Sequence, residues 1–394
     1  MRNKREKFIL FGKPAIGKEE IKAVTEVLKS GWIGMGPKCI EFEKLFAEYV
    51  GAKYAISVSS CTAALHLSLL ASGVKPEDEV ITTPFTFVAT MNAIEYTGAR
   101  PILVDIDPKT LNIDPKLIEK AITKKTKAML PVHFGGLVCD MNKIFVIANK
   151  HNLFVVEDAA HAVGSRLKGK MVGSFPKSTA CFSFYPNKNI TSIEGGMVTT
   201  NSPLVARKVE LMRIHGMDNE AWKRYRAGKS LTHSVAVMAG FKYNMTDIEA
   251  AVGICQLKKI ESSLKTREEY AKIYDRAFSG LPCSRQERPI DISGNRHSLH
   301  LYLILLNLGR LNINRDTLVQ EIRDRGIGAT VHYHAAHLHP YFKNKLGYKR
   351  GDLPQSESVS DRIMTLPLTP SMSLRDAHYV ADTVREIVLS HQLL

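Results

Sequence analysis

Between residues 54 and 200, short β-rich runs alternate with longer stretches of helical periodicity, and this rhythm constrains the chain more than any other feature. Residues 54–58 (YAISV) read as a strand, and residues 60–72 as a helix with Ala64, Leu67 and Ala71 on one face. A second strand is expected at 102–104, followed by a helix opening at Pro115, where a fixed φ suits the first helical position. Strands at 128–133, 154–157, 180–184 and 197–200 and a helix at 141–150 complete the series. The runs at 154–157 and 180–184 are almost continuously apolar, as expected of strands covered on both faces. Such a βαβα order predicts an α/β fold with a mostly parallel central sheet and helices on both sides.

The remainder reads as a smaller C-terminal α/β domain. Thr246 and Glu249 form a capping box for a helix that runs past Leu257 toward Phe278. Gly280, Leu281 and Pro282 then make a turn, so the boundary is expected between 260 and 282, dividing the chain into 1–260 and 261–394. Beyond it, strands are expected at 298–307 and 329–334, a helix at 315–325 ended by Gly326, and a last helix capped by Ser373 and running to Leu389.

Composition excludes several classes. Of 394 residues, 44% are hydrophobic and 24% charged, which is ordinary for a globular protein and too apolar for a disordered one. No run approaches the roughly 20 apolar residues that span a bilayer, and the apolar stretch at Phe8–Phe11 is too short for a secretory signal. Six cysteines without a CxxC pair make neither a disulfide framework nor a zinc motif, so a cytoplasmic protein is expected. The net charge of +15 raises the question of nucleic acid, the more so because Lys223, Arg224, Arg226 and Lys229 interleave with Trp222 and Tyr225. No helix-turn-helix, RNA-recognition or zinc-finger pattern accompanies them, so nucleic acid is not an expected partner. His332, His334, His337 and His339 cluster, but no acid or cysteine is near them in sequence, and no metal is expected there.

In open α/β sheets ligands gather beyond the carboxyl ends of strands, and three signals fall there. After strand 54–58 come Ser59, Ser60, Cys61, Thr62 and Ala63 at a helix start, either a simple N-cap or a phosphate cradle. After 154–157 come Glu157 and Asp158, costly to bury unless capped or met by a cation. After 180–184 comes Lys188, in SFYPNKNITSIEGG, a surface charge or a nucleophilic amine. Together, a phosphate site, a carboxylate for a pyridinium nitrogen and a Schiff-base lysine are what pyridoxal phosphate requires.

With SGWIGMGP at 30–37, EDAAHAVGS at 157–165, SFYPNKNITSIEGG at 183–196, GFKYNMTDIEAAVG at 240–253 and VHYHAAH at 331–337, nearly the whole chain resembles the DegT–StrS sugar aminotransferases, which are fold type I pyridoxal-phosphate enzymes. Within that family it looks closest to the UDP-4-amino-4-deoxy-L-arabinose–oxoglutarate aminotransferases. The resemblance implies that Lys188 and Asp158 are catalytic, Lys188 as the Schiff-base lysine and Asp158 at the pyridinium nitrogen. It implies that His161 lies by the phenolic oxygen, Phe87 stacks on the ring, and Thr62, the Ala63 N–H and Ser183 hold the phosphate. It further implies a homodimer with shared sites, an asparagine of the neighbouring subunit completing the cradle; Lys242 occupies the place where many relatives carry it, so either Asn244 serves instead or Lys242 itself approaches the phosphate. His332 and His334 would face a nucleotide-sugar substrate, with Lys229 contributing charge, and glutamate (2-oxoglutarate in reverse) would be the amino donor.

The expected activity is therefore transfer of an amino group from glutamate to a keto nucleotide sugar, most simply a UDP-4-keto sugar, serving cell-surface polysaccharide or lipid A modification. Dehydratases on the same scaffold replace the lysine with histidine, and Lys188 argues against that alternative. A non-catalytic regulator on the same scaffold is the other alternative.

Overall fold

A computed structural model describes residues 8–218, 235–287 and 294–393. Its central sheet has seven strands: β1 (Tyr54–Val58), β2 (Glu79–Thr82), β3 (Arg100–Leu103), β4 (Thr126–Met129), β5 (Phe154–Asp158), β8 (Thr179–Ser183) and β9 (Gly196–Thr200), with β6 (Arg166–Leu167) and β7 (Lys170–Met171) forming a separate small hairpin. The order across the sheet is β1-β9-β8-β5-β4-β2-β3, and every pairing is parallel except those of β9, which runs against both its neighbours. The sheet is thus mostly parallel, as the alternating pattern requires.

Alternation along the strands builds two cores. Val155, Phe182 and Met197 face one side, where they pack with Phe42 and Phe46 of helix Pro37–Val50 and Ile144 of helix Met141–His151. Val156, Cys181 and Val198, each the next or preceding residue on the same strands, face the other side with Leu65 and Leu67 of helix Cys61–Ala71 and Val209 of helix Pro203–Met212. Helix Cys61–Ala71 is apolar nearly all round because it is buried nearly all round.

Helix Asp247–Ala277 is a single rod of 31 residues opened by the Thr246–Glu249 capping box. Ile254, Leu257, Ile260 and Leu264 belong to the large core, whereas Tyr270, Ala271, Ile273 and Tyr274 belong to a second core around an antiparallel sheet of β10 (Cys283–Arg285), β11 (Tyr302–Leu306) and β12 (Ile363–Leu366). Residue 260 falls inside the helix, and the change of core comes between Leu264 and Tyr270. Ile9 of the N-terminal arm packs in the second core, and its backbone pairs with Ile327.

One expected strand is absent and one strand is new. Residues 329–334 form no strand; only Thr330 bridges to Thr365, after which the chain turns so that His332 and Tyr333 line a cavity. Strand β2 was not foreseen, because four residues (EVIT) carry too little pattern to be read.

Candidate active site

The site grows from four chain reversals at one edge of the large sheet. β1 ends against the N-terminus of helix Cys61–Ala71; β5 delivers Asp158; β8 leads through Ser183 to Lys188; and the segment after β2 brings Thr86 and Phe87. The loop with His332 and Tyr333 adds a further wall, and the whole encloses a cavity of about 440 Å³. Gly196 makes the approach possible: a β-carbon there would lie 2.5 Å from the Ser60 carbonyl, so only glycine lets β9 pass behind the turn at 59–62.

Asp158 is buried and its carboxylate is fixed at both oxygens. Thr90 donates its hydroxyl to Oδ2 at 2.7 Å, the Ala160 N–H reaches Oδ1 at 3.1 Å, and the Thr86 hydroxyl lies 2.7 Å from that of Thr90. Burial pushes its pKa up, against the lowering effect of the Thr90 and Ala160 hydrogen bonds and of the nearby Lys188 charge. Its neighbour Glu157 points to the other face of β5 and is satisfied there, by His133 at 2.7 Å and by the Ser178 hydroxyl.

Lys188 lies half-buried in the same cavity. Burial lowers its pKa to about 8, against the pull of Asp158. An amine so shifted is roughly a tenth neutral at pH 7.

His161 is buried and held neutral by desolvation. Its Nδ1 accepts the Gly135 N–H at 3.3 Å, which leaves the ring proton on Nε2, 3.3 Å from the Tyr333 hydroxyl. Its ring lies 4.5 Å from that of His300, whose Nδ1 meets Asn189 Oδ1 at 3.2 Å. His332 is likewise neutral, its pKa lowered to about 3 by burial, with Nδ1 on the Thr365 hydroxyl at 3.0 Å.

Thr62, Phe87, Asp158, His161, Ser183, Lys188 and His332 therefore meet around one cavity. Ala63 does not line it: its N–H is taken by Ser60 Oγ at 3.1 Å, so the N-cap reading holds for Ser60, while Thr62, in the first turn of the helix, has an N–H with no intrahelical partner and does line it. Asn244 lines a different cavity, also about 440 Å³, with Trp32, Met35, Ile214 and Lys242. His334 is exposed and faces His339, ring centroids 5.2 Å apart, while His337 is buried against Glu357 at 3.0 Å. Lys229 lies outside the described residues, as does the rest of the basic run at 223–229. Sequence reasoning missed Thr90, Asn187, His300 and Tyr333. Tyr333 and Asn187 stood next to chosen residues, but Thr90 and His300 carry no local signal and are brought in by tertiary packing alone.

The model of the DegT/DnrJ/EryC1/StrS aminotransferase family matches residues 14–385. The chain belongs to this family. It is 46% identical over 389 residues to the spore coat polysaccharide biosynthesis protein SpsC of Bacillus subtilis, covering 98% of this chain and 99% of that one. The putative sugar aminotransferase Spr1654 of Streptococcus pneumoniae, in its PLP form, superposes with a TM-score of 0.89 at 31% identity, covering 97% of this chain and 99% of that one. PseC of Helicobacter pylori, an aminotransferase involved in the biosynthesis of pseudoaminic acid, gives 0.89 at 30% identity, with coverage of 98% and 100%. The chain has the fold of these type I aminotransferases.

The cavity fits pyridoxal phosphate on three counts. A buried carboxylate lacks a cationic hydrogen-bond partner, a lysine amine of lowered pKa lies in the same cavity, and glycine alone permits the close pass behind a helix N-terminus. Among the described residues, no group of three or more His, Cys, Asp or Glu could hold a metal ion, and no helix is long and apolar enough to cross a membrane.

Proposed function

We propose that this chain transfers the amino group of glutamate to the carbonyl of a keto nucleotide sugar, in first place a UDP-4-keto sugar. The cofactor is pyridoxal phosphate, which supplies the electron sink that lets an amino group leave one carbon and join another. The observation that carries the reading is Lys188, an amine of depressed pKa in one cavity with the anchored carboxylate of Asp158.

The chain's own residues do the rest. Lys188 would hold the cofactor through its amine, and in each half-reaction its Nζ would move the proton at the carbon that gives or receives the amino group. Asp158, oriented by Thr90 and Ala160, keeps a proton on the ring nitrogen. Thr62 and Ser183 would hold the phosphate, Phe87 would pack on the ring, and neutral His161 would offer its Nε2–H to the phenolic oxygen. His332 lines the acceptor side. Ordered transfer through one cavity gives ping-pong kinetics, with glutamate leaving as 2-oxoglutarate before the sugar binds.

Shared sites in a homodimer belong to the same proposal. Asn244 lines a cavity apart from the one that holds Lys188, so completion of the phosphate cradle by this residue calls for a second copy. The name of SpsC favours polysaccharide over lipid A as the destination of the product. A retained lysine, where dehydratases on this scaffold carry histidine, favours amination.

The test is spectroscopic and kinetic. The purified protein is expected to be yellow, to bleach on glutamate, and to regain colour on a 4-keto nucleotide sugar. Lys188→Ala is expected to lose both the band and turnover; a variant that transaminates at the wild-type rate overturns the assignment. Mixing Lys188→Ala with Asn244→Ala subunits is expected to restore part of the activity that each lacks, and no restoration overturns the shared site.

A further inference from the structure

A threonine in a helix commonly turns its hydroxyl back to the carbonyl four residues earlier. Thr25 and Thr266 do so in this chain, donating to the Ile21 carbonyl at 2.8 Å and the Ser262 carbonyl at 3.1 Å. Thr90, the second residue of helix Ala89–Tyr96, does not. Among the described residues its hydroxyl has two partners, the Thr86 hydroxyl and Asp158 Oδ2, each 2.7 Å away. All three residues are buried.

Counting hydrogens gives this row of bonds a direction. A hydroxyl has one hydrogen to give, and an ionised carboxylate has none. Thr90 therefore spends its hydrogen on Asp158, and the contact between the two threonines is made by the hydrogen of Thr86. A hydroxyl that accepts one hydrogen bond is polarised and donates the next more strongly. Thr86 comes from a segment that is itself fixed. The Pro84 carbonyl accepts the Ala336 N–H at 2.8 Å, and Phe85 is buried against Phe134 with ring centroids 4.9 Å apart.

We infer that Thr86 is a positioning residue for Asp158: its hydroxyl donates to Thr90 and so commits the Thr90 hydrogen to the carboxylate. The inference rests on the proposed pairing of Asp158 with the cofactor's ring nitrogen and adds the residue that fixes the acid from two bonds away. A carboxylate with a donor on each oxygen keeps one plane and keeps its charge. Without Thr86 the Thr90 hydroxyl loses the bond that fixes its oxygen and is free to turn to a backbone carbonyl, as Thr25 and Thr266 do.

The experiment is a double-mutant cycle read by titrating apoprotein with pyridoxal phosphate. Thr86→Val, which keeps the shape and removes the hydroxyl, is expected to weaken binding about threefold to tenfold. Thr86→Ala is expected to do the same, and it serves in place of Thr86→Val should the latter not fold. Thr86→Ser, which restores the hydroxyl, is expected to stay within about twofold of the wild type. Added to Thr90→Val, the Thr86→Val change is expected to cost less than about twofold more, because the bond it acts through is already gone. In the loaded protein, Thr86→Val is expected to slow bleaching at saturating glutamate and to leave the half-saturating glutamate concentration unchanged. If Thr86→Val binds the cofactor as the wild type does, the inference is overturned while the cofactor site stands. It is equally overturned if the loss is the same with and without the Thr90 hydroxyl, or if Thr86→Ser is as weak as Thr86→Val. If Asp158→Asn binds as tightly as the wild type, the reading of Asp158 beneath it fails and the inference falls with it.

Discussion

The Thr90 hydroxyl donates to Asp158 Oδ2 at 2.7 Å, and it does so from a helix, Ala89–Tyr96, that contributes nothing else to the carboxylate. This bond sets the plane of a buried acid whose pKa burial alone drives upward. Thr90→Val removes the donor and keeps the shape. The expected result is cofactor binding weaker by about tenfold, the equivalent of one charge-assisted hydrogen bond, measured by titrating apoprotein with pyridoxal phosphate. Unchanged affinity would show that Ala160 orients the acid unaided.

Loading of the apoenzyme should report the Lys188 pKa directly. Only the neutral amine attacks an aldehyde, and burial lowers the pKa of this lysine from the ordinary 10.5 to about 8. Between these values the unfolded chain binds the extra proton, so this group makes stability rise with pH there, and its destabilising effect is complete below 8. The loading rate is expected to climb about tenfold per pH unit up to about 8 and then level off. Stopped-flow absorbance from pH 6 to 10 checks it, and a rise that continues to pH 10 contradicts a depressed lysine.

Gly196→Ala should separate structure from chemistry. The added methyl carbon would fall 2.5 Å from the Ser60 carbonyl, against backbone that has no room to yield. Overpacking of this kind costs about 1–3 kcal/mol. The expected outcome is a lower melting temperature together with weakened binding of phosphate-bearing cofactor, whereas pyridoxal lacking the phosphate loses less.

His133 and Glu157 are both fully buried and 2.7 Å apart on the face of β5 away from the cavity. Replacing His133 with Leu strands a carboxylate in the interior, which costs about 3–5 kcal/mol when one partner of a buried pair is removed. Chemical denaturation of the variant should show a loss of this size, while the double variant His133→Leu, Glu157→Leu regains much of it. The visible spectrum of the loaded protein is expected to stay the same in whatever fraction folds.

The alternation of short strands and helices made the parallel sheet legible, since strands buried on both faces leave continuous apolar runs such as 154–157 and 180–184. Asp158 and Lys188 were legible for a related reason: polar groups at the end of an apolar strand have few places to go except the sheet's open edge. What escaped were partners from distant parts of the chain. Thr90 is 68 positions from Asp158, and Tyr333 is 172 positions from His161. Neither separation leaves a periodic trace. The Ala63 N–H, expected at the phosphate, donates to Ser60 Oγ, a local N-cap contact that the sequence equally allowed.

The rod Asp247–Ala277 has a consequence for how the molecule can be divided. Its first turns are walled into one interior and its last turns into the other, so neither half owns it. Severing the gene at codon 260 would leave each fragment with half a helix and a greasy stripe open to water, a recipe for precipitation. Anyone wishing to express one lobe alone must carry the entire rod along with it.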